Sequence, residues 1–302
     1  MTRPCLPPHA RSTPLQFQPP AGACDCHAHV FGPFVRHPLA LDRSYTPAEF
    51  DGASFVAHLN GLGLSRGVLV TGSASGTDNG SVLEALLAYP DRLRGVAVAT
   101  EEVGDQELDR WHAAGVRGVR ANLYQLDGHK VYRNGVGLET LEFLAPRLRE
   151  RGWHAQIWVH APDLPALSPR LRRLGVPLVI DHMGRMASTR GVQDPGFQHL
   201  CALLADGLAW TKISGADRNT AQAASHQPAY SDIDPFALAL LAANPQRVVW
   251  GTDWPHINYF DPGRVPDDGV LLNLLARWLP DARLQQQVLV DNPARLYDFP
   301  IR

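Results

Sequence analysis

Short apolar runs alternate with longer amphipathic segments along most of this chain. The short runs are rich in β-branched and aliphatic residues, which favour strands, whereas the longer segments repeat apolar residues at helical spacing. The predicted strands are Ala23–Val30, Gly67–Thr71, Gly95–Ala99, Gly118–Asn122, His154–Val159, Pro177–Asp181, Ala209–Ser214 and Arg247–Gly251. Strands separated by helices in this way are typical of a parallel sheet.

The amphipathic segments predict a helix after each strand. They are Phe50–Leu62, Asn79–Tyr89, Asp105–Ala114, Leu138–Arg151, Leu164–Leu174, Pro195–Leu204, Asp234–Ala243 and Leu271–Leu279, with a last helix over Asp281–Val290. Because no change in composition interrupts the alternation, we predict a single α/β domain, a (β/α)8 TIM barrel over residues 21–302, preceded by a short proline-rich leader of residues 1–20. The alternative is a doubly wound open sheet, which would carry a glycine-rich nucleotide turn after its first strand; the sequence has none.

Composition narrows the class of protein. Apolar residues make up 45% of the chain and charged residues 19%, which indicates an ordinary globular protein and excludes a disordered one. The net charge of −2 gives no reason to expect nucleic acid or an anionic membrane as a partner. Residues 1–20 lack the apolar core of a signal peptide, and no run is long enough to span a membrane. We therefore predict a cytoplasmic protein and leave homo-oligomerisation open.

Polar side chains cluster at the carboxyl ends of the predicted strands. His27 and His29 end the first strand, where alternate spacing puts both side chains on one face. A single histidine is more often structural than functional, but in a TIM barrel the active site lies at these strand ends, so groups from different strands converge there. The later strand ends carry Arg120 and Asn122, Trp158 and His160, Asp181 and His182, Ser214 with Asp217 and Arg218, and Asp253.

These residues and their surrounding motifs resemble the amidohydrolase superfamily, and within it the branch of 2-pyrone-4,6-dicarboxylate lactonase and related lactone hydrolases. The resembling segments are CDCHAHVFGP at 24–33, RSYTP at 43–47, GTDN at 76–79, GVRGVRAN at 115–122, VIDHMG at 179–184, KISGADR at 212–218, VWGTDWPH at 249–256 and NPARLY at 292–297. The resemblance implies a hydrolase of aromatic-compound catabolism that opens a small lactone bearing carboxylate or sulfonate groups, such as 2-pyrone-4,6-dicarboxylate or a muconolactone derivative.

Lactone hydrolysis requires a base that activates water and an electrophile that polarises the carbonyl. Asp253 is the candidate base, as its counterpart is in the resembled family, because a carboxylate among imidazoles and arginines stays ionised. The alternative is that Asp253 caps the turn that follows it. His27, His29 and His182 are the candidates for polarising the carbonyl and stabilising the oxyanion.

Substrate acid groups require cationic or hydroxyl donors. Guanidinium forks bind carboxylates well, which suggests this role for Arg120 and Arg218, although a buried ion pair is the alternative for Arg120. Trp158 stands where the resembled lactonase has a tyrosine, so we expect a reshaped pocket. The complete set of candidate substrate-binding residues is Tyr45, Thr71, Ser73, Arg120, Trp158 and Arg218.

The need for a metal ion is a separate question. The resembled lactonases work without metal, and we favour no cofactor. The alternative is one Zn²⁺ bound by His27, His29, His160 and Asp253, which are ligand types that zinc accepts. Three other functions stay open: a zinc-dependent decarboxylase of an aromatic or muconic acid, a sugar-acid lactone isomerase, and a catalytically silent barrel that binds a carboxylated ligand.

Overall fold

Eight parallel strands form the centre of the molecule. The computed structural model describes residues 2–10, 12–126, 128–222 and 229–300. The barrel strands are Cys24–Ala28, Arg66–Val70, Leu93–Ala97, Val116–Asn122, His154–Trp158, Leu178–Ile180, Ala209–Lys212 and Val248–Val249. Each strand pairs with the next one along the chain. This order confirms the predicted (β/α)8 barrel.

The first and last strands close the barrel. A parallel bridge joins Ala28 to Trp254, and the backbone N–H of Asp253 donates to His27 O at 2.8 Å. Gly251 lies where the two strands approach most closely, since a Cβ at this position would come within 2.6 Å of the backbone nitrogen of His27. The closure therefore requires a glycine here, and it sets the candidate base beside the two histidines of the first strand.

Helices surround the barrel, as the alternating pattern predicted. They are Gly52–Gly61, Gly80–Ala88, Asp105–Ala114, Leu138–Glu150, Leu164–Arg173, Pro195–Ala205, Ala216–Asn219, Asp234–Ala243, Asp268–Asn273, Leu275–Trp278, Ala282–Gln286 and Asn292–Tyr297. Two predictions differ in detail. The helix expected at residues 271–279 is two short helices, and the last predicted helix passes into a π-helical turn, Gln287–Asp291, before Asn292.

The main apolar core lies between the barrel and these helices. Leu59, Leu86, Leu141, Leu200 and Leu240 are each 0% exposed and belong to five different helices. Burying a leucine side chain contributes about 1.5–3 kcal/mol, so each helix face makes a substantial contribution to the stability of the barrel. This packing keeps the strands, and the side chains at their carboxyl ends, in fixed positions.

The proline-rich segment before the barrel lies along its surface. Leu6 N donates to Tyr259 O at 2.9 Å, and the backbone nitrogens of Ser12 and Thr13 donate to Asp267 Oδ2 at 2.8 and 3.0 Å. These contacts bind the segment to the region that follows the eighth strand. Within the described residues, no helix has the length and apolar character needed to cross a membrane.

Candidate active site

Asp253 and three histidines meet at the carboxyl end of the barrel. Asp253 Oδ1 lies 3.4 Å from His29 Nε2, 3.7 Å from His27 Nε2 and 3.9 Å from His182 Nε2. All four side chains are buried. The structure thus brings together the four residues that the sequence suggested as catalytic, although they come from three different strand ends.

Unusual backbone conformations direct two of these side chains. His182 has φ +51° and Asp253 has φ +67°, in the left-handed region that residues other than glycine rarely adopt. His182 comes two residues after the sixth strand and Asp253 four residues after the eighth, and their side chains meet at the mouth of the barrel. Conformations of this kind are costly and occur preferentially at functional sites.

Hydrogen bonds orient two of the imidazoles from behind. His29 Nδ1 lies 2.7 Å from Val70 O, and because a carbonyl only accepts, this nitrogen carries a proton. This bond holds the ring of His29 with its Nε2 toward Asp253, 3.4 Å from Oδ1. His182 Nδ1 is 2.9 Å from Ser214 Oγ, a hydroxyl that can donate or accept.

Arg218 controls the charge of Asp253. Its Nε donates to Asp253 Oδ2 at 2.6 Å, and its Nη2 donates to Ile257 O at 2.9 Å. Burial alone would raise the pKa of Asp253, but Arg218 and then His182 hold that pKa well below its usual range. Burial lowers the pKa of His182 to about 3. At neutral pH the site consequently pairs an ionised carboxylate with a neutral imidazole, the combination that a general base and a hydrogen-bond donor require.

A second polar network lies below this centre, inside the barrel. The ammonium of Lys212 is 2.8 Å from Gln156 Oε1, 3.0 Å from His27 Nδ1 and 3.2 Å from Asp181 Oδ1. Gln156 Nε2 donates to Asp181 Oδ2 at 3.1 Å, and Arg120 Nε lies 3.2 Å from the same oxygen. All except Arg120, which is 5% exposed, are completely buried.

One carboxylate lies between two cations within this network. Burial would raise the pKa of Asp181, but Lys212, His27 and Arg120 together hold that pKa well below its usual range. Burial lowers the pKa of Lys212, and the Asp181 carboxylate opposes this effect. Burial and then the charge of Lys212 hold the pKa of His27 well below its usual value, so this ring is neutral.

An arginine-lined cavity of about 120 Å³ opens above Asp253. Its lining residues are His29, Arg120, Tyr124, Leu126, Val131, Tyr132, Trp158, His182, Arg185, Arg218, Asp253, Ile257 and Asn258. The aromatic wall includes Trp158 and Tyr132, whose rings stack at 4.7 Å. Leu126 belongs to a short hairpin, Gln125–Leu126 with His129–Lys130, that the sequence did not predict, and Val131 directly follows this hairpin. The predicted substrate contacts Arg120, Trp158 and Arg218 all lie in this lining.

Arg185 is a cavity residue that the sequence reasoning missed. Its Nη1 donates to Asn219 Oδ1 at 2.7 Å, while its buried Nε has no hydrogen-bond partner among the described residues. The guanidinium lies 5.6 Å from the ring of Tyr124. A signal was available, since Arg185 comes three positions after His182 in the loop that follows the sixth strand.

Three predicted hydroxyl contacts lie outside the cavity lining. Ser73 Oγ donates to Tyr45 OH at 3.3 Å, and Thr71 Oγ1 donates to Asn79 Oδ1 at 2.7 Å. All three hydroxyl-bearing side chains are buried. Their hydrogen bonds fix the loops after the first and second strands, and direct contact with substrate stays a prediction for Tyr45, Thr71 and Ser73.

Some of the buried ligand atoms are close enough to share a metal ion. The two compact groups among the described residues are His27, His29 and Asp253, and His27, Asp181 and His182. His160, the fourth zinc ligand suggested by the sequence, belongs to neither group. Its half-buried ring lies 5.6 Å from the ring of Tyr124.

The hydrogen bonds behind the imidazoles test whether a metal fits. A ligating imidazole normally donates its second N–H to an acceptor, as His29 does to Val70 O. His27 differs, because the nearest group to its Nδ1 is the Lys212 ammonium, a donor, at 3.0 Å. Asp181 Oδ1 is 3.3 Å from this nitrogen but has no aligned hydrogen bond within the part of the chain that is described. His27 therefore does not fit the role of metal ligand in this arrangement.

Comparison with known proteins gives consistent matches. The profile of the amidohydrolase family matches residues 24–299. A 2-pyrone-4,6-dicarboxylate hydrolase of Comamonas testosteroni is 38% identical over 294 residues, covering 96% of this chain and 94% of that protein. A 4-sulfomuconolactone hydrolase of Rhizobium radiobacter is 39% identical over 295 residues, covering 97% and 96%.

One solved structure extends this similarity to three dimensions. It is the crystal structure of a probable 2-pyrone-4,6-dicarboxylic acid hydrolase from Acinetobacter baumannii with citric acid bound. Its TM-score is 0.76 at 30% sequence identity, and the match covers 92% of this chain and 100% of that one. The similarity in three dimensions therefore covers nearly the whole chain.

Proposed function

Because this chain belongs to the amidohydrolase family, we propose that it is a lactone hydrolase of aromatic-compound catabolism that opens a small ring bearing carboxylate or sulfonate groups. The names of its relatives give 2-pyrone-4,6-dicarboxylate and 4-sulfomuconolactone as substrates, and both of these are small anionic lactones. The family predicted from the sequence motifs is thus confirmed, and the relatives support the predicted reaction. The cytoplasmic location and the homo-oligomer stay predictions.

One observation carries the proposal. The Oδ1 atom of Asp253 faces three imidazole nitrogens at 3.4–3.9 Å, beside a cavity lined by Arg120, Arg185 and Arg218. An ionised carboxylate is a base for water, and the guanidinium groups match the acid groups of an anionic lactone. Base, donors and anion-binding groups thus lie around one small space.

The geometry supports a short reaction sequence. Asp253 takes a proton from water, and the resulting hydroxide attacks the lactone carbonyl to form a tetrahedral oxyanion. Neutral His27 and His182 polarise the carbonyl and then stabilise the oxyanion through their N–H groups. The ring C–O bond breaks, Asp253 returns the proton to the leaving oxygen, and a carboxylic acid is released. His29, whose ring is held by Val70 O with Nε2 toward Asp253, helps to position the same water.

Recognition of the substrate is assigned to the cavity wall. Arg185 and Arg120 are the cations assigned to the acid groups, because neither bonds to the base, whereas Arg218 is paired with Asp253. Arg185 Nε has no hydrogen-bond partner among the described residues, while Arg120 also contacts Asp181. The stacked rings of Trp158 and Tyr132 provide a flat apolar surface for an unsaturated ring. The identity of the acid group, carboxylate or sulfonate, depends on these side chains.

We propose that the reaction proceeds without a metal ion. The ionised base and the neutral donors supply both functions that lactone hydrolysis requires, and Lys212 opposes the use of His27 as a ligand. The contact between Lys212 and His27 also disfavours the alternative of a zinc-dependent decarboxylase, because that chemistry requires the metal.

The test is a panel of lactones offered to the purified protein in H₂¹⁸O. The panel contains 2-pyrone-4,6-dicarboxylate, 4-sulfomuconolactone, muconolactone and a sugar-acid lactone. Hydrolysis releases a proton and places one ¹⁸O in the product, isomerisation incorporates no ¹⁸O, and decarboxylation releases carbon dioxide. We expect proton release and ¹⁸O incorporation with an anionic lactone.

Asp253→Asn is the matched control for this panel, since it keeps the shape of the side chain and removes the base. Loss of a general base typically lowers the rate about 10²- to 10⁴-fold, so we expect a fall in kcat of that size. Near-normal turnover by this variant would remove Asp253 as the base. Carbon dioxide as the product, or no turnover of any lactone, would contradict the proposed reaction.

A further inference from the structure

Lys212 is completely buried and lies at the end of the seventh strand, where no part of the reaction sequence above uses it. Its ammonium is the group nearest to His27 Nδ1, at 3.0 Å, and it also donates to Gln156 Oε1 at 2.8 Å. An ammonium has three donors and no acceptor. In this contact the imidazole nitrogen is therefore the acceptor.

The orientation of Gln156 supports this direction. Its Nε2 donates to Asp181 Oδ2 at 3.1 Å, which leaves Oε1 to accept from Lys212. A rotated amide would set its NH₂ group against the ammonium. The carboxylate of Asp181 therefore fixes the amide, the amide helps to fix the ammonium, and the ammonium faces His27.

The competing arrangement places the proton of His27 on Nδ1. That proton would have to be accepted by Asp181 Oδ1, which is 3.3 Å away and, within the described residues, has no aligned hydrogen bond. It would also point toward the ammonium of Lys212 at 3.0 Å, so that two donors would face each other. The observed positions favour the other tautomer, with the proton on Nε2.

The Nε2 atom of His27 faces Asp253, which lines the cavity, although His27 itself lies just below the lining. It is buried, has no hydrogen-bond partner among the described residues, and lies 3.7 Å from Asp253 Oδ1, beyond hydrogen-bond distance. His29 differs from His27, because its Nδ1 donates to Val70 O whereas the Nδ1 of His27 faces the donor Lys212. This difference cannot arise from their spacing and requires different partners behind the two rings.

We propose that Lys212 is a positioning residue that fixes the tautomer of His27, so that its Nε2–H donates to the lactone carbonyl oxygen as negative charge develops there. The catalytic part of this inference rests on the proposed function, whereas the tautomer does not depend on any substrate. Lys212 touches neither the lactone nor the water, and it acts only through His27.

The direct test is the ¹⁵N NMR spectrum of the wild-type protein labelled at histidine, with the His27 signals assigned by their absence in His27→Gln. We expect the Nε2 signal to be that of a protonated nitrogen and the Nδ1 signal that of an unprotonated one. The reverse pattern overturns the proposal, whether or not a lactone is hydrolysed. Failure of the lactone panel with the expected pattern would instead contradict the proposed function alone.

The kinetic test uses Lys212→Met with Lys130→Met as the matched control, because Lys130 is the other lysine of the chain and is exposed. Loss of one oxyanion donor typically lowers kcat about 10²- to 10³-fold. We expect the kcat of Lys212→Met to fall by a factor approaching this range, with little change in KM. Lys130→Met should behave as wild type. Unchanged kcat in a folded Lys212→Met protein, or a fall that appears only in KM, overturns the proposal.

Discussion

The active end of the barrel has two regions that are built differently. The deep network, consisting of His27, Gln156, Asp181 and Lys212, comes from the barrel strands and the residue directly after one of them, and it is completely buried. The rim, consisting of Tyr124, Tyr132, Trp158, Arg185 and Arg218, comes mostly from the segments beyond the strands and surrounds the cavity.

We expect the deep network to determine the chemistry and the rim to determine the choice of substrate. Each polar group of the deep network is held by groups from other strands, so a change at one position leaves another buried group without its partner. The rim side chains each contact the cavity and can change without disturbing the strands below. We therefore expect deep substitutions to affect stability and kcat, and rim substitutions to affect KM and the preference among lactones.

The largest effect is expected for Asp181→Asn. This substitution leaves the buried cations Lys212 and Arg120 without their carboxylate, 3.2 Å from each. Removing one partner of a buried ion pair typically costs about 3–5 kcal/mol, and we expect the free energy of unfolding measured in urea to fall by this amount. Asp105→Asn is the control, because Asp105 is exposed and its pairs with Arg147 and Arg151 should contribute little. Equal losses of unfolding free energy in the two variants would contradict the expected sensitivity of the deep network.

Arg218 and Arg185 test whether the rim is uniform. Hydrogen bonds to charged groups contribute about 1.5–3 kcal/mol, so Arg185→Gln and Arg218→Gln should each raise KM by about tenfold or more. Of these two arginines, Arg218 is the one that bonds to Asp253, and it helps to hold the pKa of that base low. In Arg218→Gln the pKa of Asp253 should rise, and the acid limb of kcat/KM should move to higher pH.

The pH profiles of the two arginine variants provide the decisive comparison. Asp253 must be ionised to act, so in the wild type the rate should hold down to the acid range and fall only as pH drops through the low pKa of this carboxyl. Arg185→Gln should keep that profile. The same upward shift in both variants would show that general charge at the rim, and not the contact with Asp253, controls the base.

A smaller effect is expected for Trp158→Tyr. The indole stacks on Tyr132 and lies 5.9 Å from the guanidinium of Arg120, so its replacement changes the shape of the cavity wall without removing a charge. We expect kcat/KM for 2-pyrone-4,6-dicarboxylate and for 4-sulfomuconolactone to change by unequal factors, with a ratio that shifts about three- to tenfold. An equal change for both lactones would exclude Trp158 as a determinant of the choice between them.

The smallest effect is expected from removal of metal ions. If Lys212 keeps His27 from acting as a ligand, treatment with a chelator should leave kcat within about twofold of its starting value. The measurement is turnover before and after dialysis against chelator, together with the metal content of the protein. Loss of activity that added zinc restores would contradict the metal-free mechanism.

The sequence predicted the barrel well, because its strands are buried on both faces and appear as short apolar runs. The strand ends also indicated which candidate catalytic residues lie together, since His27, His29, His182 and Asp253 each follow or end such a run. Lys212 was not recognised as part of the site. A signal was present, because lysine is rarely buried without a partner and this one lies within an apolar strand. The partner itself, Asp181, lies on a neighbouring strand end that local patterns do not identify.

The predicted hydroxyl contacts illustrate the opposite difficulty. Thr71 and Ser73 have the residue type and the position of substrate-binding groups, but their hydroxyls are already bonded to Asn79 and Tyr45. A sequence reveals which polar groups reach the active end of the barrel. It does not reveal which of them a neighbouring side chain already occupies.

The hydrogen bond from Asp253 to the backbone of His27, which closes the barrel, has a consequence for biosynthesis. The ribosome makes the histidines of the first strand early, but it makes their base only after seven more strands of the barrel. A nascent chain therefore carries imidazoles without the carboxylate that works with them. A product of premature termination before the eighth strand lacks both Asp253 and the strand that closes the barrel, and we expect it to be inert.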